Sequence, residues 1–261
     1  MPPSHLTSKV VFVTGATAGL GKAIACRFLE AGASVITCGT NEERMKSTIA
    51  ELSAKGTFRG ILADLSSSEA IGTLFKQLRD EFGRLDILIN NAGIMDQFDG
   101  VGSLDPTLWD RIIAVNLTAP FLLSRLAVQH YLEQEEPRGQ ILNIISMAGK
   151  VGLGAGAAYT ASKHGLVGLT KNTASYYGEK GIRCNGIIVG PMRTNVRCAF
   201  ADRKNEEGCN RIMGLLQSMK VNHCDIDEVA DLCVSLTAGP GSRQINGALI
   251  NVDKGWGSLM G

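Results

Sequence analysis

Tyr159 and Lys163 stand four residues apart in AAYTASKHGL. Residues at i and i+4 share one helix face, and no proline interrupts the chain from Ala157 to Leu169. A free phenol titrates near about pH 10. A nearby cation favours the phenolate and lowers that value. The pair therefore has the make-up of a general acid/base working near neutral pH. Taken alone the pattern is common, and a packed tyrosine beside a solvated lysine gives it equally well.

A second group of residues is TGATAGLG, with Thr14, Gly15, Gly19 and Gly21 after an apolar run. Glycine permits a tight turn and lets a pyrophosphate approach the backbone. The N-terminus of a following helix offers free N–H groups and a positive dipole end. The spacing is G-x-x-x-G-x-G, which differs from the common G-x-G-x-x-G fingerprint. Its position, after the first strand and at the start of a helix, reads as a dinucleotide-binding turn.

These residues need a frame, and the chain supplies one. Apolar runs read as strands in VVFVT, SVITC, TFRGILAD, LDILIN, QILNII, IRCNGIIV and ALINVD. Helical patterns lie between them at 19–32, 42–55, up to about 82, 106–135 with a break near Pro120, 157–178 and 226–236. Ser66 or a neighbour, with Glu69, offers a capping box, and Asp225 with Glu228 another. Pro106 after Asp105 takes the first helical position. Strand–helix alternation over the whole length predicts an α/β fold: one parallel sheet with helices on both faces. Ligands in such sheets bind beyond the carboxyl ends of the strands.

The 261 residues are 44% hydrophobic and 20% charged, with a net charge of +1. Neither charge runs nor a basic bias points to nucleic acid or an anionic membrane surface. Seven cysteines are scattered without C-x-x-C, and four histidines lack ligand spacing. No metal site or disulfide framework is expected. The start, MPPSHLTSK, has no long apolar stretch, and no apolar run reads as a membrane span. The expected compartment is the cytoplasm.

Together the motifs resemble the short-chain dehydrogenase/reductase family over nearly the full length. The T-G-x-x-x-G-x-G element is Thr14 to Gly21, N-N-A-G is Asn90 to Gly93, and the helix asparagine is Asn116 in AVNLTAP. Ser146 ends strand five, thirteen residues before the tyrosine of Tyr159-x-x-x-Lys163. The resemblance implies a Rossmann-type doubly wound parallel sheet of about seven strands. It implies one dinucleotide-binding and catalytic domain over 1–261, with a substrate lid around 192–222. It also implies hydride transfer between a nicotinamide cofactor and a carbonyl/alcohol pair. Tyr159 would then exchange the proton, and Lys163 would lower its pKa and bond the nicotinamide ribose. Ser146 would hold the substrate oxygen, and Asn116 would hold a water that relays protons. Small neighbours such as Ala157, Ala158, Ala161 and Ser162 would leave room for both molecules.

The same resemblance places the cofactor against Thr14, Gly15, Thr17, Gly19, Leu20, Gly21, Asn91, Ala92, Gly93, Gly190, Met192 and Thr194, besides Tyr159 and Lys163. Ile188 would add backbone contacts. Gly39, Thr40, Asn41, Asp64 and Leu65 would surround the adenosine end. At the end of strand two the family's NAD-selecting acidic residue is replaced by Gly39, which does not repel a 2′-phosphate. Thr40, Asn41 and Arg44 can bond one, so NADP(H) is favoured over NAD(H). Two departures stand out: Val189 where the family has proline, and Lys254 where glycine is common.

The lid segment carries Met192, Phe200, Met213, Leu215, Leu216 and Met219. With Met147, Val151 and Leu153 on the opposite wall, it suggests an apolar, polycyclic small-molecule substrate. Those side chains could equally just pack the lid onto the body. A homo-oligomer, tetramer or dimer, is expected by analogy. Two other readings remain open. One is an isomerase or epimerase of the same fold acting through transient oxidation. The other is a non-catalytic NAD(P)-binding regulator, which would predict a broken Asn116–Ser146–Tyr159–Lys163 set.

Overall fold

A computed structural model describes residues 6–194, 203–220 and 222–259. In chain order the elements are β1 (Val10–Thr14), α1 (Gly19–Glu30), β2 (Ser34–Gly39), α2 (Glu42–Leu52), β3 (Phe58–Leu62), α3 (Ser68–Phe82) and β4 (Ile87–Asn90). Then come α4 (Pro106–Ile113), α5 (Ala119–Leu132), β5 (Gly139–Ile144), α6 (Ala157–Tyr177), β6 (Ile182–Val189), α7 (Glu206–Ser218), α8 (Ile226–Ala238) and β7 (Leu249–Val252). The seven strands form one parallel sheet in the order β3-β2-β1-β4-β5-β6-β7.

Alternation along each strand sends successive side chains to opposite faces. In β1, Val11 and Val13 join one core, while Val10 and Phe12 join the other. Ile24 and Phe28 of α1 and Val229 and Cys233 of α8 cover the first face. Leu74 and Leu78 of α3 and Leu123, Ala127 and Tyr131 of α5 cover the second. Because both faces are covered, β1 is buried throughout, which is why it reads as an unbroken apolar run.

Caps set where the helices begin. Asn41, Ser67, Asp105, Asn205 and Asp225 each accept first-turn N–H groups of the helix that follows. Ser67 is thus the neighbour that caps α3, while Ser66 bonds Asp64 instead. The break near Pro120 takes the form of a π-helical turn, Ala114–Thr118, between α4 and α5. Pro120 has no N–H to offer the Asn116 carbonyl four residues back, so the regular ladder cannot run through.

One expectation needs correcting. The helical stretch Pro106–Leu132 is long and apolar enough to cross a membrane by length and composition. Its apolar residues reflect packing: Ala119, Leu123, Ala127, Val128 and Tyr131 are buried against the sheet. Lys254 holds φ +54, a left-handed position that accounts for glycine being the easier choice there.

Candidate active site

The strand order reverses between β1 and β4, and the chain leaves both strands at the same end. A cleft of about 490 Å³ opens there, where the topological switch predicts a ligand site. Its floor is the turn after β1. Gly15 has φ +68, reachable without strain by glycine. A Cβ on Gly21 would meet the Asn91 amide and lie 2.6 Å from the Gly15 carbonyl oxygen. Thr14 Oγ1 accepts from the N–H groups of Asn91 and Ala92, both at 2.9 Å, and so ties the β4 exit to the β1 exit.

The N-terminus of α1 differs from the capped helices. Ala18 at its cap has no side-chain acceptor, and no acidic residue stands in the first turn. Ala18, Gly19 and Leu20 all line the cleft. An uncapped helix start behind a glycine cradle suits a pyrophosphate. The residues present therefore fit a dinucleotide.

The cleft brings together Gly15, Thr17, Gly19, Leu20, Gly21, Gly39, Thr40, Asn41, Asp64, Leu65, Asn91, Ala92 and Gly93 along one part of its wall. Ser146, Tyr159, Lys163, Gly190, Met192 and Thr194 complete it. Thr14 and Asn116 are not among the lining residues and act from behind. Asn116 is fully buried. Its side chain accepts from Ile94 N–H at 2.9 Å and donates to Ile94 O at 2.8 Å and Ser162 Oγ at 3.2 Å. With those groups engaged, the side chain braces the loop after β4.

Ser146 follows β5 in extended conformation; its hydroxyl accepts from Ala148 N–H at 3.2 Å and acts on the Tyr159 phenol in the direction that favours ionisation. Lys163 is 3% exposed and donates to the Ile144 carbonyl at 2.9 Å. Its ammonium lies 5.5 Å from the centre of the Tyr159 ring. Burial lowers the lysine from 10.5 to about 8. The expected drop in the tyrosine is not met. Burial pushes the Tyr159 hydroxyl from 10.0 to about 12 and Asp96 adds to that rise, while Ser146 works against it. Loss of water around the phenol is the largest cause.

Apolar side chains close the rest of the cleft: Met95, Phe98, Met147, Ile212, Met213, Leu216 and Trp256. Of the segment 192–222, Met213 and Leu216 of α7 line it, whereas Leu215 does not. Met219 instead accepts from the Trp256 indole N–H at 3.4 Å. Phe200 lies outside the described residues. Val151 and Leu153 are not on the wall, and Val151 packs beside Leu166 and Ile188 beneath it. Ile188 belongs to that buried cluster too; Val189 is the β6 residue at the cleft. Asp96, Phe98, Ile212 and Trp256 escaped sequence reading, because no motif or spacing marks them.

A family profile described as short chain dehydrogenase matches residues 9–205. The short chain dehydrogenase/reductase dpchG of Colletotrichum higginsianum is 48% identical over 258 residues, covering 98% of this chain and 96% of that protein. The 3beta-hydroxysteroid dehydrogenase 2 of Eggerthella lenta is 33% identical over 252 residues, with 96% and 95% covered. Among solved structures, levodione reductase superposes with a TM-score of 0.86 at 28% identity, covering 97% and 99% of the two chains. A short chain dehydrogenase from Burkholderia cenocepacia in complex with NADP gives 0.81 at 29%, covering 96% and 98%. With the profile matched through all five motif regions but the last strands, and relatives aligned from end to end, the chain belongs to the short-chain dehydrogenase/reductase family.

Proposed function

We propose that the chain transfers a hydride between NADP(H) and a hydroxyl or ketone carbon of a neutral, ring-rich apolar molecule. Tyr159 serves as its general acid/base. One observation carries the reading: Ser146, Tyr159 and Lys163 meet in a cleft whose remaining wall on that side is apolar. The nicotinamide cofactor, when bound, supplies the hydride chemistry. Tyr159 gives its proton to the substrate oxygen in reduction and takes it back in oxidation. Ser146, whose hydroxyl acts on the phenol, orients that oxygen. Lys163 spends one of its three N–H donors on Ile144 and keeps two for a ribose hydroxyl. Asn116 and Thr14 position the loop after β4.

Charge supports the substrate class. Lys163 apart, the charged lining residues among those described are Arg44, Asp64 and Arg111, and Arg111 acts electrostatically on Asp64. All three belong to the adenosine end in this reading. The steroid named for the Eggerthella lenta relative agrees with a ring-rich substrate. Arg44 has no carboxylate partner among the described residues, which suits a 2′-phosphate. The Burkholderia cenocepacia structure, solved with NADP, agrees with that preference.

In the same reading the whole chain is one cofactor-binding and catalytic unit, and 192–222 is its lid. Exposed Phe121 and Tyr176, on α5 and α6, favour association with further copies. The chain's seven cysteines, of which the six among the described residues are free, suit the reducing cytoplasm.

The test is a panel of ring ketones, a 3-ketosteroid included, reduced with NADPH and followed at the cofactor's absorbance. Stoichiometric NADPH consumption separates net reduction from isomerisation. Tyr159→Phe should lose about 10²–10⁴-fold in turnover while still binding cofactor. Undiminished turnover in that variant would sink the assignment.

A further inference from the structure

The loop after β4 carries a carboxylate that the proposed chemistry does not use. Asp96 is 0% exposed. Its Oδ1 accepts from Gly156 N–H at 2.9 Å and Phe98 N–H at 3.1 Å. Its Oδ2 accepts from Tyr159 N–H at 2.9 Å. Gly156 is the cap residue of α6 and offers no side chain of its own. Ala157 N–H, next in line, donates to the Asp99 carbonyl at 2.9 Å. The first turn of α6 is therefore capped by a loop sixty residues away in sequence. Space is matched to this arrangement: a Cβ on Gly156 would lie 2.6 Å from the Asp96 carboxyl carbon.

The loop is held on its other side as well. Asp99, 2% exposed, accepts from Ser103 Oγ at 2.8 Å and from Asn205 Nδ2 at 3.0 Å. Asn205 N–H also donates to Gln97 O at 2.8 Å. Asn205 is the cap of α7, so the loop joins the start of α7 to the start of α6.

We propose that Asp96 is a positioning residue for Tyr159: its carboxylate anchors the first turn of α6 through Gly156 and Tyr159 and fixes a negative charge at the Tyr159 backbone N–H, from which it acts on the phenol. This rests on the reading of Tyr159 as the acid/base. Three N–H donors and no facing acceptor favour the ionised carboxyl. Burial, with the like charge of Asp99, raises its pKa but leaves those bonds in place. The groups facing the phenol are few. Among the described residues, Lys163 comes from α6 itself, Ser146 from just after β5 and Asp96 from the loop, with Asp99 acting on Asp96; α7 and Trp256 present apolar side chains to the cleft. Asp96 is thus the anion that opposes Lys163 at this hydroxyl. It keeps the phenol protonated, the form a reductase needs.

Asp96→Asn tests this. The carboxamide retains the shape and one acceptor but removes the charge and sets an N–H₂ against a backbone N–H. The readout is tyrosinate absorbance against pH for protein saturated with oxidised cofactor, which also stabilises the fold by mass action. Each protein is referenced to the same protein carrying Tyr159→Phe, which isolates one of the four tyrosines. We expect the Tyr159 transition to move down by about half a pH unit or more in Asp96→Asn, with turnover on the 3-ketosteroid reduced about tenfold. An unmoved or raised transition overturns the inference, as does its absence in the variant. A variant that fails to bind cofactor or to fold also overturns it, since Asp96 would then hold the fold rather than the tyrosine. The titration needs no turnover, so retained activity in Tyr159→Phe would remove the acid/base reading while leaving this result standing.

Discussion

Lys163 and Arg44 are two cations in one cleft with opposite surroundings. Lys163 is buried, and its charge is costly until a ligand hydroxyl shares it. Arg44 is exposed on the part of the cleft that we assign to adenosine, where we propose that it serves recognition. Arg44→Ala should raise the KM for NADPH about tenfold and leave that for NADH nearly unchanged; equal effects on both would place the 2′-phosphate elsewhere. At this scale the sequence was informative where chemistry fixes a spacing. Tyr159 and Lys163 must share a helix face, so i, i+4 shows them. Asp96 reaches Tyr159 N–H through a fold-made contact 63 residues long, and no local pattern announces that.

Among the elements, the glycine turn and α1 are legible because each step has a local cause. Gly21 has no room for a side chain, and Gly15 needs a positive φ. Gly21→Ala should push Asn91 aside and lower both cofactor affinity and the melting temperature. Isothermal titration and thermal unfolding would check this, and unchanged affinity would mean that the turn does not cradle the pyrophosphate. The strands were readable as apolar runs, and caps such as Asp105 and Asp225 as side-chain acceptors before helical stretches. The π turn was visible only as a proline interruption, since which carbonyls skip a partner depends on the Asn116 contacts to Ile94 and Ser162. Helix α7 was not assigned from sequence, although Ile212, Met213 and Leu216 stand at helical spacing and line the cleft together.

For the molecule as a whole, the buried thiols make alkaline pH the weak direction. Burial raises Cys38, Cys184 and Cys233 from 9.0 to about 12. Between those values the unfolded chain releases protons that the folded chain retains, so stability falls as pH rises. Each such group contributes about 1.4 kcal/mol per pH unit. Lys163 works the other way between its lowered value of about 8 and 10.5, where the folded form has already lost the proton. One lysine against three thiols leaves a net loss above about pH 9. Urea midpoints of the ligand-free protein should therefore decline from there, and a flat or rising profile would contradict this balance. The sheet order has a further result, for biosynthesis. Val10 N–H meets the Asp86 carboxylate 76 residues later, and β1 pairs with β4 on that side. Until β4 has left the ribosome, the central strand has an open hydrogen-bonding edge, and the nascent chain must keep that apolar ribbon from other strands during translation.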